Sequence, residues 1–147
     1  MDPLLAGEAG ELPLFPEPPS DGPSVPLILI VDDEAAILAG LQMFLEDEGY
    51  RVLSARKGTL ALGLVRQEQP ALVICDYMMP GMNGEDVLGA IRAQTQAEQR
   101  VTPILVLMSA AHQLLTRSVA ADAWLTKPFE LDIMADLLAR LLSRDAA

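Results

Sequence analysis

The sequence predicts an α/β fold in which five parallel strands form a doubly wound sheet with helices on both faces. Three observations support this prediction. The 147 residues are 51% hydrophobic with a mean hydropathy of +0.29, which is enough to bury one core of ordinary domain size. Five apolar runs of strand length alternate with segments of helical periodicity, as in parallel sheets. Charged and hydroxyl side chains follow those runs, where such sheets carry their sites.

The first three strand–helix units follow one another from residue 27 to residue 94. Apolar runs of strand length, as strands covered on both faces require, are LILIV at 27–31, RVLSA at 51–55 and ALVIC at 71–75. After the first run, apolar residues at helical spacing are Ile37, Leu38, Leu41, Phe44 and Leu45. Gly49 is placed to cap the end of this helix. The next two helices are predicted over about 58–68 and 84–94.

The last two units are less regular. A polar linker at 95–100 leads to the strand PILVLM at 103–108, and AWLT at 123–126 is the fifth strand. The interval between them leaves room for a short fourth helix of about Ala111 to Val119. A final helix is predicted from about Glu130 to Ser143. The folded domain therefore spans 27–143, and 144–147 is predicted to be a short C-terminal tail.

Residues 1–26 differ in composition from the rest of the chain. They contain seven of the eleven prolines, five acids and no Lys or Arg, so we expect an extended, disordered acidic tail. The formal net charge is −11, and the remaining residues, with sixteen acids against ten bases, still carry −6. This sign argues against direct nucleic-acid binding and against contact with an anionic membrane.

Cysteine usage and hydropathy predict the compartment. The lone Cys75 lies in an apolar run and is expected to be a small buried hydrophobe, so the chain cannot form an internal disulfide. No run approaches 18 apolar residues, and no basic start precedes an apolar stretch. We therefore expect a cytoplasmic protein.

Chemically active side chains follow four of the five strands. The first strand ends at Asp32 and Asp33, the third at Asp76, the fourth at Ser109 and the fifth at Lys127. Crowded carboxylates repel one another, and a hard divalent cation such as Mg²⁺ offsets that repulsion. Together with a lysine and a hydroxyl, these acids predict a site for phosphoryl transfer.

Four motifs lie at these strand ends: ILIVDDE at 28–34, CDYMMPGMNG at 75–84, LMSA at 107–110 and WLTKPF at 124–129. Together they resemble the receiver domains of two-component response regulators. The resemblance covers 27–143 and implies a flavodoxin-like fold. It also implies phosphorylation by a histidine kinase or a phosphotransfer protein, with a conformational change relayed to a protein partner. Such a domain catalyses only its own phosphorylation and dephosphorylation.

The resemblance implies a role for each matching residue. The residues implied at the phosphoryl and Mg²⁺ site are Asp76 as phosphoacceptor, Asp33 as direct ligand, Asp32 as water-mediated ligand or support, the Met78 backbone carbonyl as ligand, and Lys127 as contact to the phosphoryl group. Ser109 is implied to be the hydroxyl that moves toward the phosphoryl group, and Trp124 the switch aromatic. The bond between Lys127 and Pro128 is expected to be cis.

Two features set the chain apart from the family pattern. Ser109 and Lys127 are 18 positions apart, about one helical turn fewer than expected, so the fourth helix is shortened. We therefore expect a monomer that does not dimerise through its fourth and fifth helices. Too few residues follow the last helix to form an output domain, so we expect a stand-alone receiver.

Two alternative functions fit the sequence less well. A phosphorylation-independent adaptor with a receiver fold would be expected to lack an acid or the lysine, and both are present. An aspartyl-phosphate phosphatase of the haloacid dehalogenase type needs a second acid two residues after its nucleophile, and position 78 is Met.

Overall fold

The computed structural model describes residues 25–110 and 120–146. Within these ranges it contains five strands and four helices. They are, in chain order, β1 (Leu27–Val31), α1 (Ala35–Asp47), β2 (Arg51–Ala55), α2 (Gly58–Glu68), β3 (Leu72–Asp76), α3 (Gly84–Ala97), β4 (Ile104–Ala110), β5 (Ala123–Lys127) and α4 (Leu131–Ala146).

All five strands join one parallel sheet in the order β2-β1-β3-β4-β5. The central strands β1 and β3 are buried along their whole length, which explains why their sequences are continuously apolar. Alternate residues point to opposite faces, so Ile28 and Ile30 pack with α1 and α4 while Leu29 and Val31 pack with α2 and α3. The predicted doubly wound parallel sheet is confirmed.

Two helices extend beyond their predicted ends. Helix α3 continues to Ala97 through part of the stretch predicted as a polar linker. The Thr95 hydroxyl lies within hydrogen-bonding distance of the Ile91 and Arg92 carbonyls, at 3.0 and 3.1 Å, so this polar side chain is satisfied inside the helix. Helix α4 runs to Ala146, three residues past the predicted end at Ser143. The backbone of 144–146, predicted as part of a short tail, therefore continues the helix.

Some predictions fall on residues outside the described ranges. These are the disordered tail over 1–24 and the short fourth helix over 111–119. Gly49 follows α1 with a φ of +102°, the left-handed conformation that its predicted role as cap requires. Among the described helices, none has the length and apolar character needed to cross a lipid bilayer.

Candidate functional site

Three carboxylates converge where β1 and β3 end. Asp32 and Asp33 follow β1, and Asp76 is the last residue of β3, which is the neighbour of β1 in the sheet. Each offers an oxygen, and these oxygens all lie within 4.8 Å of one another. Asp32 and Asp76 are buried, whereas Asp33 is half-buried. The sheet topology thus assembles the acids that the sequence placed at strand ends.

Among the described residues, the Asp32 carboxylate is hydrogen-bonded through only one of its two oxygens. Its Oδ1 accepts a hydrogen bond from the Glu34 backbone N–H at 3.0 Å, and its Oδ2 is buried without a partner among the described residues. Burial raises the pKa of the Asp32 carboxyl, and the nearby Asp76 and Asp33 carboxylates raise it further, against the lowering effects of the Glu34 hydrogen bond and the Lys127 charge. A buried carboxylate oxygen without a donor is suited to a cation.

Lys127 brings a positive charge to this cluster from β5. Its Nζ forms a hydrogen-bonded ion pair with Oδ1 of Asp76. The following peptide bond to Pro128 is cis, as predicted. One lysine against three carboxylates leaves the site with an excess of negative charge.

Ser109 lies on β4, beside the end of β3. The preceding residue, Met108, pairs with Asp76 in the sheet. Ser109 is buried, and within 25–110 and 120–146 its hydroxyl has no hydrogen-bond partner. This hydroxyl is therefore uncommitted and could donate to an arriving oxygen.

Met78 and Trp124 are the two remaining residues predicted to take part. Met78 lies in the loop between β3 and α3, with its side chain exposed. Trp124 lies on β5 opposite Leu107 and is 41% exposed, so its indole is in contact with solvent. The roles of the Met78 carbonyl and of Trp124 as a switch stay predictions.

Gly84, the first residue of α3, lies against Asp76, a contact that was not predicted from the sequence. Its N–H donates to the Tyr77 carbonyl at 2.8 Å. A Cβ at this position would lie 2.4 Å from the Asp76 carbonyl oxygen, closer than any side chain tolerates. Only glycine therefore allows α3 to begin so close to Asp76. The sequence signal was the Asn83-Gly84 pair directly before a helical run.

Arg56 is a second residue that the sequence analysis missed. It follows β2, and its Nε and Nη2 donate to the Asp33 backbone carbonyl at 3.2 and 3.0 Å. A cavity of about 620 Å³ opens beside these two residues, between the start of α2 and the loop at 79–82. An exposed arginine after a strand has no periodic signal, so its target could not be read from the sequence.

The donor set fits a hard divalent cation. It consists of carboxylate oxygens, one of them buried and unpartnered, and Mg²⁺ takes oxygen ligands of this kind together with water and phosphate. The same oxygens and the Lys127 ammonium lie next to the carboxylate of Asp76, and Ser109, with its hydroxyl unpartnered among the described residues, lies on the neighbouring strand β4. This arrangement can hold a phosphoryl group on Asp76 and neutralise its charge.

Comparison with known proteins identifies the family. The sequence profile of the response regulator receiver domain matches residues 28–139. The chain belongs to this family. Receiver domains serve phosphorylation-dependent two-component signalling, so the predicted class of function is confirmed, and the phosphorylation-independent adaptor is not favoured.

Curated relatives are about one third identical to this chain over the aligned residues. The transcriptional regulatory protein KdpE of Mycobacterium tuberculosis is 36% identical over 118 residues, covering 78% of this chain and 49% of that protein. The DNA-binding response regulator MtrA of the same organism is 36% identical over 122 residues, covering 80% and 51%. The chain thus spans about half the length of these relatives. Because they are DNA-binding or transcriptional regulators by name, the expectation of no nucleic-acid contact is not confirmed.

Solved receiver structures share the fold over nearly their whole length. Chemotaxis response regulator CheY4 of Vibrio cholerae superposes with a TM-score of 0.70 at 28% identity, covering 80% of this chain and 98% of that one. The response regulator TrrA of Thermotoga maritima, solved with Mg²⁺ and BeF, gives 0.71 at 32% identity, covering 80% and 99%. Receiver domains are phosphoacceptors that bind Mg²⁺ at an acidic pocket, and a cluster of acids of this kind is present here.

Proposed function

We propose that Asp76 accepts a phosphoryl group from the phosphohistidine of a histidine kinase or phosphotransfer protein. The observation that carries this proposal is the position of Asp76. It is a buried carboxylate at the end of a central strand, paired with Lys127 and within 4.8 Å of the carboxylates of Asp32 and Asp33. No other carboxylate in the described part of the chain has this combination of neighbours.

The reaction requires little covalent chemistry from the protein. An oxygen of Asp76 attacks phosphorus, the P–N bond to the donor histidine breaks, and the histidine nitrogen keeps the electron pair. Asp32, Asp33, Asp76 and the Met78 carbonyl would hold Mg²⁺, which supplies positive charge to the phosphoryl oxygens. Lys127 adds a second positive charge through its ion pair with Oδ1 of Asp76.

The response of the domain would depend on Ser109 and Trp124. The Ser109 hydroxyl has no partner to give up, so it can donate to a phosphoryl oxygen without breaking an existing bond in the described structure. Movement of Ser109 would change the packing of β4 against β5, which carries Trp124. The phosphoryl group would thereby alter a surface that a partner protein recognises.

The domain would catalyse only its own phosphorylation and dephosphorylation. Met78, two residues after Asp76, is exposed and apolar, so it cannot orient an attacking water by hydrogen bonding. We infer slow self-dephosphorylation, and Met78→Asn should shorten the lifetime of the phosphorylated form severalfold. We also propose that the domain acts in the cytoplasm, as a monomer, through a protein target rather than by touching nucleic acid itself.

Intact-mass spectrometry tests the phosphoacceptor. The domain is incubated with acetyl phosphate and Mg²⁺, and wild type should gain the mass of one phosphoryl group while Asp76→Asn gains none. Asp33→Ala should label poorly because a direct carboxylate ligand is lost. Asp47→Asn, an exposed acid at the end of α1, is the matched control and should label like wild type. Full labelling of Asp76→Asn, or of wild type in excess chelator, contradicts the proposal.

A further inference from the structure

Arg56 connects the end of β2 to the loop that carries two of the site's carboxylates. Its guanidinium donates two hydrogen bonds to the Asp33 carbonyl, at 3.2 and 3.0 Å. The preceding residue, Ala55, accepts a hydrogen bond from the Asp32 N–H at 3.1 Å. Ala55 at the end of β2 and Arg56 directly after it therefore hold Asp32 and Asp33, the two acids that follow β1 and that we call the acidic loop.

Asp33 depends on this contact more than Asp32 does. Asp32 is fixed on both sides, because its N–H bonds to β2 and its carboxylate accepts from Glu34. In the residues that the structure describes, no hydrogen bond other than the two from Arg56 reaches Asp33 from outside its own loop. The main chain of Asp33 determines where its Cβ points, and the Arg56 contact restrains that main chain.

We propose that Arg56 is a positioning residue for Mg²⁺ binding. By holding the Asp33 carbonyl, it keeps the Asp33 carboxylate turned toward Asp32 and Asp76, and this rests on the proposed role of Asp33 as a ligand. Outer groups that orient metal ligands commonly affect affinity although they never touch the metal. The planar guanidinium offers two donors in a fixed geometry, which the single ammonium of lysine cannot reproduce.

A rival explanation gives Arg56 an effect of opposite sign. A positive charge in contact with Asp33 repels a divalent cation that arrives at the site, so charge alone predicts that removing Arg56 tightens Mg²⁺ binding. Positioning predicts that removal weakens it. The two explanations also differ for lysine, which keeps the charge and loses the paired donors.

Calorimetric titration of Mg²⁺ into the metal-free domain separates these explanations. Arg56→Lys and Arg56→Met should both bind Mg²⁺ about three- to tenfold more weakly. This loss is smaller than is usual for residues that orient a metal ligand, because the Arg56 guanidinium is exposed to solvent. Unchanged binding by Arg56→Lys with tighter binding by Arg56→Met would overturn positioning in favour of charge. Wild-type affinity in both variants would overturn any role for Arg56.

Arg51, at the other end of β2, is the matched control. Its Nε and Nη2 make the same paired contact to a backbone carbonyl, that of Val25, at 3.2 and 3.1 Å. Arg51→Lys and Arg51→Met should leave Mg²⁺ affinity unchanged. An equal loss in both series would mean that Arg56 acts only through the stability of β2, which would overturn the proposal.

Hydrogen exchange in metal-free buffer gives a readout that does not depend on bound Mg²⁺. The Glu34 amide, which donates to Asp32, should exchange faster in Arg56→Met than in Arg51→Met if Arg56 restrains the acidic loop. Equal exchange in the two variants counts against the proposal.

The titration also separates this proposal from the proposed function. If wild type itself binds no Mg²⁺, the proposed function fails. If wild type binds Mg²⁺ and the Arg56 variants bind equally well, only the positioning role fails.

Discussion

Asp32 is the most deeply buried carboxylate of the site, and one of its oxygens has no hydrogen-bond partner among the described residues. Its charge is opposed by burial and by the carboxylates of Asp33 and Asp76. A buried carboxylate without a hydrogen-bond donor is unfavourable unless a bound cation offsets the free energy lost when its charge is removed from water. At the scale of single residues, the metal-free domain is therefore strained electrostatically where Mg²⁺ is expected to bind.

The raised pKa of Asp32 predicts how the free energy of unfolding depends on pH. Because the folded state raises this pKa above its ordinary value, Asp32 lowers the free energy of unfolding at pH values above the folded pKa, and the effect disappears below the ordinary pKa. Asp32→Asn should therefore be more stable than wild type at pH 7 without Mg²⁺, by roughly 1 kcal/mol. The gain should shrink as the pH falls toward 4. Saturating Mg²⁺ should reverse the order, because binding stabilises wild type.

Urea unfolding at pH 7 and pH 5, with and without Mg²⁺, checks this prediction. Asp136→Asn removes the same charge at an exposed position in the middle of α4 and should show neither the gain nor the reversal. A metal-free Asp32→Asn that is less stable than wild type at pH 7 would show that the unpaired carboxylate is not under strain.

The hydroxyl of Ser109, unpartnered among the described residues, leads to a prediction about the conformational response to phosphorylation rather than about stability. Its hydroxyl is buried and unpartnered in the described structure, so Ser109→Ala should fold and should still be phosphorylated to the wild-type extent. The change in Trp124 fluorescence on adding beryllofluoride and Mg²⁺ should be lost. Trp124 is the only tryptophan, so the signal has one source. Ser54→Ala on β2 is the control, and survival of the fluorescence change in Ser109→Ala would rule out the coupling role.

At the scale of elements, α3 fixes the position of Asp76. The helix begins with a capping box in which the Asn83 side chain accepts from the Asp86 N–H at 2.8 Å and the Asp86 carboxylate accepts from the Asn83 N–H. Immediately after Asn83, Gly84 lies against the Asp76 carbonyl. A helix start defined by its own caps is thereby held against the end of β3.

Two glycines of α3 give a matched test of this contact. Gly84→Ala should lower the free energy of unfolding by about 1–3 kcal/mol, the usual cost of overpacking, because its Cβ meets the Asp76 carbonyl. Gly89→Ala, in the same helix with nothing within 4 Å of the new Cβ, should raise it by about 0.5–1 kcal/mol. Chemical denaturation measures the free energy of unfolding of both variants. Similar effects in the two would show that α3 is not in tight contact with Asp76.

The sequence was sufficient for the elements and insufficient for the contacts between them. Strand positions followed from apolar runs such as 27–31, since strands covered on both faces leave little ambiguity. The ends of helices were harder, because Thr95 looks like a linker residue until its hydroxyl is seen bonding within the helix. The site's acids were found because the ends of parallel strands meet at one edge. The contacts of Arg56 and Gly84 depend on three-dimensional proximity that periodicity does not encode.

At the scale of the whole molecule, the sheet separates two cores and leaves the site at one edge. Helices α1 and α4 cover one face and α2 and α3 the other. Stability therefore comes from the two faces, while the carboxyl edge of the sheet is left for chemistry. The chain spans about half of its curated relatives, so what its surface meets in the cell is a separate question from the chemistry at Asp76.

The oligomeric state of the domain can be predicted at this scale. The interval between Ser109 and Lys127 is short, and its predicted helix over 111–119, which lies outside the described residues, offers few apolar anchors. We therefore predict a monomer with and without beryllofluoride, and weak protection of 110–121 in hydrogen exchange. Sedimentation velocity measures the first and mass spectrometry the second. A dimer induced by beryllofluoride together with strong protection of that segment would contradict the prediction.

The central claim is that the phosphoryl group resides on Asp76, and borohydride trapping tests it most directly. Borohydride reduces an aspartyl phosphate to homoserine, which marks the residue that carried the phosphoryl group. Trypsin then separates the candidates, because Asp76 falls in the peptide 67–92 while Asp32 and Asp33 precede the first Lys or Arg, Arg51. Fragmentation of 67–92 should place homoserine at 76 and leave Asp86 unmodified. Homoserine at 32 or 33, or none after labelling seen by intact mass, would contradict the claim.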